Sequence, residues 1–317
     1  MEPTYVSLAP LVQSTEQKGT VLVVVFQDAA GGAPVTASAP LRRSKGVAGA
    51  TRDTVQRKVL SRLSFAISRA VNQAVGDVHM LGKFGAQAAR SAMKGLADSV
   101  DSNYSAEEKQ AAIVEAFQGV AGRFRWDGSA WVLDSAAPTV KTAFDRQLED
   151  VPITDAADVA VLGRMLAELA AADGDFGDDE RSFLETFLPA DTDIDGLVAG
   201  PKLTHAELRE VSAGPVRETM LMLAWGLSFC DDELAPEEQE ACRRYAQGLG
   251  ISIARGKALR NAAASFVLES AFADAWAGGV ADEAKREQAL AAAERLGLPL
   301  PVAKRIESQY KRSHGIR

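Results

Sequence analysis

Two short acidic stretches hold the densest candidate chemistry in the chain. Ala172-Asp173-Gly174-Asp175-Phe176-Gly177-Asp178-Asp179-Glu180 aligns without gaps to Cys230-Asp231-Asp232-Glu233-Leu234-Ala235-Pro236-Glu237-Glu238, at an offset of 58 residues. Each stretch places an Asp first, an apolar residue three positions later and a Glu four further on, in the pattern D-x-[DE]-[FL]-x-x-[DE]-E. If the two loops face one another, Asp173, Asp175, Glu180, Asp231, Glu233 and Glu238 converge. Crowded carboxylates repel, and a hard cation with oxygen ligands, Ca2+ or Mg2+, relieves that repulsion more naturally than zinc. A local reading stands beside this one. In it Asp173 and Asp231 bond loop amides, while Glu180 and Glu238 sit at the positive N-terminal ends of helices. A metal-dependent or carboxylate-pair enzyme is a third reading. It needs a general acid with a raised pKa beside a cleft, and no sequence feature supplies one.

Other chemistries have little raw material. Two cysteines, Cys230 and Cys242, make neither a disulfide framework nor a four-thiolate zinc site, and the three histidines are scattered. Walker and GxGxxG phosphate loops are missing. Asp191-Thr192-Asp193-Ile194-Asp195-Gly196 imitates a calcium loop, but its twelfth position is Lys202 instead of the bidentate Glu, so it reads as an acidic turn.

The acidic stretches need helices on both sides. Asp158–Ala172 carries Val159, Leu162, Met165, Leu166 and Leu169 on one face, and Val216–Phe229 follows the break at Gly214-Pro215. Thr204-His205-Ala206-Glu207 is a capping box, and Pro236 suits the first turn of a helix ending near Gly248 or Gly250. Residues 155–317 therefore read as entirely helical. A third, degraded copy runs from Gly278 to Glu283, without the leading acids, ahead of a helix ending Leu296-Gly297-Leu298, which echoes Leu249-Gly250-Ile251.

With these residues in view, the two stretches resemble the repeated A-D-G-x-hydrophobic-x-x-x-E signature of TerB-like domains, found in tellurite-resistance proteins and in the N-terminal module of DjlA-type membrane co-chaperones. The resemblance covers about residues 155–300. It implies a pseudo-symmetric helical bundle, acidic loops that bind divalent metal, and a part in stress-linked bacterial assemblies near the membrane, without catalysis. The carry-over falls on Asp173 and Glu180, and on Asp231 and Glu238. The second copy departs from the signature, with Asp232 where the family usually has Gly.

The first half is built differently. Tyr5–Val12, with Pro10, reads as an edge strand, Ser14–Gly19 as a loop, Val21–Phe26 as a buried strand and Val35–Ala39 as a third strand. A helix is expected from about Asp53 to Val75, with Val55, Val59, Leu63, Ile67, Ala70 and Ala74 on one face. Ser105-Ala106-Glu107-Glu108 starts another, to about Gln118, and Asp127-Gly128 turns a hairpin flanked by Trp126 and Trp131. The expected organisation is an α+β domain over 1–135, a linker over 136–154 and an all-α TerB-like domain over 155–317, with α predominant.

Charge separates the halves. Residues 1–150 hold 17 basic and 15 acidic groups, whereas residues 151–317 hold 18 and 28; the whole chain carries −8. From Arg42 to Lys94 there are 11 basic residues against Asp53 and Asp77. Arg57, Lys58, Arg62 and Arg69 of the basic helix are read in two ways. One is a charged rim on a helix packed against the small sheet; the other is contact with an anionic membrane surface or polyanion. No specific nucleic-acid contact is expected, since no Tyr or Trp lies among these basic residues. The N-terminal residues lack the pattern of a signal peptide and no apolar run approaches a span, so a cytosolic protein, peripheral to the inner face of the membrane, is expected. The function expected from these features is a non-enzymatic, stress-associated adaptor or scaffold with a protein partner at its acidic helical domain. A self-assembling structural protein is the further alternative.

Overall fold

A computed structural model describes residues 3–18, 20–28, 34–42, 62–63, 104–133, 142–172, 174, 176, 178–185, 188, 192–230, 234–276, 280–313 and 316. The described chain is mostly helical, with a small antiparallel sheet near its start. Apart from Arg62 and Leu63, the expected basic helix lies outside the described residues.

Three strands, β1 (Val12–Lys18), β2 (Val21–Phe26) and β3 (Val35–Pro40), pair antiparallel in that order, with Lys18 opposite Val21 and Phe26 opposite Val35. Leu22, Val24 and Phe26 turn one face of β2 toward a core completed by Ala116, Phe117 and Val120 of a helix over Ala106–Val120. The Ser105–Glu108 box starts that helix reciprocally: Glu108 N–H donates to Ser105 Oγ at 3.1 Å, and Ser105 N–H to Glu108 Oε2 at 2.8 Å. The second hairpin, β4 (Phe124–Trp126) and β5 (Trp131–Leu133), pairs Trp126 with Trp131 and joins this core through Phe124, 5.1 Å from Phe117 ring to ring.

The chain start departs from expectation. Tyr5–Leu8 is a short helix, α1, and Ala9–Leu11 a 3-10 turn, where an edge strand was expected. Thr4 decides this locally: its Oγ1 accepts from Ser7 N–H while Ser7 Oγ accepts from Thr4 N–H at 3.1 Å. The edge strand comes later, over Val12–Lys18, and takes in most of the Ser14–Gly19 stretch that read as loop. An edge strand with one solvated face needs no apolar alternation to pair. Numbered after α1, the Ala106–Val120 helix is α2.

Among the described residues the further helices are α3 (Ala143–Asp150), α4 (Ala156–Ala170), α5 (Asp178–Glu185), α6 (Ile194–Ala199), α7 (His205–Glu210), α8 (Pro215–Ser228), α9 (Pro236–Gly248), α10 (Ile253–Ala275), α11 (Glu283–Arg295) and α12 (Leu300–Ser313). Helix α8 packs on α4, α9 and α10, and α10 packs on α11 and α12. Helix α3 lies inside the expected linker. Its Phe144 and Leu148 are buried in the core of the helical unit, so that unit begins earlier than residue 155. Thr142 and Asp145 form the capping box that starts α3. Leu63 belongs to the same core, packed with the bundle and not with the sheet. Among the described residues no helix is long and apolar enough to cross a membrane.

Candidate functional site

The acidic motif coincides with a structural repeat. Helix α4 ends at Ala170 and α5 starts at Asp178; α8 ends at Ser228 and α9 starts at Pro236. Both boundaries shift by the same 58 residues as the sequence, leaving two seven-residue loops, 171–177 and 229–235. The first loop residue closes the preceding helix alike in both, Ala171 N–H to Ala167 O at 3.2 Å and Phe229 N–H to Trp225 O at 3.1 Å. The apolar motif residues, Phe176 and Leu234, both pack against the helical core, which explains why that position is apolar.

A third copy survives in structure where its sequence has faded. Helix α10 ends at Ala275 and α11 starts at Glu283, again seven residues apart, now 47 beyond the second copy. The following turns match too. Gly250 and Gly297 have φ of +72° and +70°. Ile251 N–H reaches back to Ala246 O at 2.9 Å, and Leu298 N–H to Ala293 O at 2.8 Å. Both are helix ends closed by a left-handed glycine. This copy uses Asp282 as a cap, accepting from Lys285 N–H at 3.2 Å.

Of the six carboxylates singled out, Asp173, Asp175, Asp231 and Glu233 lie outside the described residues. Glu180 is in the first turn of α5. Glu238 is buried in the first turn of α9, where its Oε2 accepts from Ala235 N–H at 2.9 Å. That bond satisfies a free donor at the helix start, as the local reading expects. Among the described residues no group of three or more His, Cys, Asp and Glu side chains is placed to hold a metal ion. Asp193, in the calcium-loop imitation, caps α6 by accepting from Gly196 N–H at 3.0 Å.

Behind the second loop the environment is apolar. Cys242 is fully buried against Ser228 Oγ, 3.6 Å away, and burial pushes its thiol up to about 12. Cys230 donates to Gly226 O at 3.2 Å. Neither thiol has the electropositive, accessible setting of a nucleophile. The Arg260 guanidinium lies over the Trp225 and Phe229 rings, 5.4 and 5.1 Å from their centroids, and its desolvation there lowers its pKa.

Of the basic residues proposed for surface contact, Arg57, Lys58 and Arg69 lie outside the described residues. Arg62 faces inward. Its Nη1 donates to Ser270 Oγ at 2.7 Å, and its guanidinium lies 5.3 Å from the Phe266 ring centroid. Sequence reasoning also missed the buried acids. Asp158 accepts from Ser212 N–H at 3.0 Å, Asp274 pairs with Lys285 at 3.2 Å, and Glu307 receives Trp276 Nε1–H at 3.3 Å and the Arg286 guanidinium. For Asp274 the signal was a lone acid inside an otherwise apolar helical stretch, Ala271-Phe272-Ala273-Asp274-Ala275-Trp276; Glu307, in Lys304-Arg305-Ile306-Glu307-Ser308-Gln309, had none.

Compared with family models, with curated proteins and with solved structures, the chain has no match.

Proposed function

We propose that this protein is a non-enzymatic adaptor. Its acidic helical unit engages a protein partner through the two repeated loops, and those loops take Ca2+ or Mg2+. Its basic segment meets an anionic membrane surface. The observation that carries the reading is the coincidence of sequence and structure: the acidic motif falls in loops of equal length between equivalent helices. In both copies the apolar residue of the motif, Phe176 or Leu234, anchors its loop to the core, and the acids of the motif recur beside it in the sequence.

The donor set fits a hard cation by its chemistry, since it is made of carboxylates alone. Glu238 is the exception, because it is buried and its Oε2 serves the start of α9. The cation role is therefore proposed for Asp173, Asp175, Glu180, Asp231 and Glu233, with Glu238 fixing where the second loop ends. The resemblance to TerB-like repeats supports a place in stress-linked assemblies, and the charge split between the halves supports two different partners.

Thermal unfolding of the full chain tests the cation part. A ligand that binds the folded state alone stabilises it by about 2.7 kcal/mol at a hundredfold excess over Kd. Added Ca2+ or Mg2+ is expected to raise Tm in the native protein and to leave the Asp173→Asn/Asp231→Asn double variant unmoved. An equal rise in both, or none in either, overturns it.

A further inference from the structure

Leu63 and Arg62 occupy a prepared seat on the helical unit. Leu63 is fully buried. Its side chain meets α8 at Gly226, where a Cβ would stand 3.1 Å from Leu63 Cδ1 and 3.4 Å from Phe144 Cε2. Gly226 lies in the last turn of α8, and its missing Cβ leaves room for that approach. Phe144 of α3 stacks on Phe266 of α10 at 4.3 Å between centroids, forming the wall beside that approach. Arg62 completes the contact. The Ser270 hydroxyl donates to Phe266 O at 3.0 Å, which leaves its oxygen free to accept from Arg62 Nη1. Glu269, on the same helix, is largely desolvated, which raises its pKa; Arg62 opposes that rise and Asp145 of α3 adds to it. The guanidinium thus also supplies counter-charge to a desolvated carboxyl.

Both residues belong to the basic run from Arg42 to Lys94, whereas α8 and α10 of the seat belong to the acidic half and α3 lies just before it. We propose that the groove between α3, α8 and α10 is an intramolecular docking site for this chain's own basic segment, anchored by Leu63 and Arg62, and that docking competes with the segment's contact with an anionic membrane surface. Arg62 cannot hold Ser270 and a lipid phosphate together. The inference rests on the surface-contact reading above and adds its regulation: Arg62 serves the groove or the surface, and not both at once.

The test uses the full chain with Arg62→Cys and Ser270→Cys together, bridged by a short bismaleimide or left open. The native thiols Cys230 and Cys242 are buried and stay out of the reaction. Bridged and open forms carry the same charges, so they differ only in docking. The probe is a vesicle of phosphatidylserine and phosphatidylcholine at low salt. Ser270→Ala, which keeps every basic residue of the segment, is measured beside them, with thermal unfolding to confirm that each variant is folded. The expected result is ready bridging, about fivefold weaker vesicle binding in the bridged form than in the open one, and tighter binding by Ser270→Ala than by the native chain. Each basic residue freed to reach an anionic surface is worth about that factor, whether it is a neighbour of position 62 in the open form or Arg62 itself in Ser270→Ala. Equal binding by bridged and open forms overturns the competition while leaving surface contact standing. If no form binds vesicles, including the open one and Ser270→Ala, the surface-contact reading itself fails and the competition with it. Failure to bridge positions 62 and 270 overturns the docking.

Discussion

At the scale of single residues, partners decide what a charge is used for. Glu207 accepts from the Thr204 N–H at 2.8 Å, from the Arg164 guanidinium at 2.6 Å and from the Thr204 hydroxyl at 2.7 Å, and these bonds hold its carboxyl down to about 2. Its usual value is 4.5, so the stabilisation is fully present above that pH and is lost as pH falls toward about 2. Urea unfolding of Glu207→Gln is expected to show a deficit against the native protein at neutral pH, and that deficit narrows through the same window. A constant deficit speaks against the assignment. Leu63→Ala is expected to cost about 2–5 kcal/mol in the same assay, the range for a fully buried leucine. A cost near zero would place Leu63 outside the core. The capping boxes at Ser105 and Thr204 were legible in the sequence because their chemistry is local. The inward use of Arg62 was not. A basic residue on an amphipathic helix looks the same whether it faces water or a serine on another helix.

At the scale of elements, ends are specified more firmly than faces. Gly250 and Gly297 close α9 and α11 in the left-handed region, which costs other residues about 1–2 kcal/mol. Gly250→Ala and Gly297→Ala are therefore expected to lower stability by that amount. Gly256→Ala, in the first turn of α10 with open space around its Cα, is expected to raise it slightly. The same sign for all three in chemical denaturation would refute the argument. Arg217 ties the ends of α7 and α9 together. Its guanidinium donates to Arg209 O at 2.8 Å in the last turn of α7, to Val211 O at 2.6 Å just past it, and to Leu249 O at 3.2 Å just past α9. A cation at helix C-termini is favourable by both charge and hydrogen bonding. Arg217→Ala is expected to cost about 2–3 kcal/mol, with Arg217→Lys recovering part of it. The sequence marked these helix boundaries through Gly, Pro and capping residues. It missed β1, whose pairing depends on β2 across the turn and not on its own pattern.

At the scale of the whole molecule, the two halves share more than a linker. Leu63, Phe144 and Leu148 complete the helical core from positions before residue 151. Glu185 of α5 accepts from the Thr20 N–H at 3.3 Å and from the Thr20 hydroxyl, at the turn between β1 and β2. A fragment of residues 151–317 is expected to unfold at lower urea concentration than the helical unit does in the full chain; equal midpoints would contradict that. The division into a sheet-bearing first part and a helical second part was readable from periodicity, and so was the internal repeat. Side chains crossing between the parts were not, since no sequence spacing encodes a contact over 208 positions such as Arg62 to Ser270. The repeat carries the functional account. The most direct measurement is a calorimetric titration of Ca2+ and Mg2+ into the full chain, beside Asp173→Asn and Asp231→Asn. One saturable binding event lost in both single variants is the expected result, because the two loops then act as one site. No heat at millimolar cation, or binding that survives both substitutions, contradicts the account and leaves the acids as helix caps and surface charge.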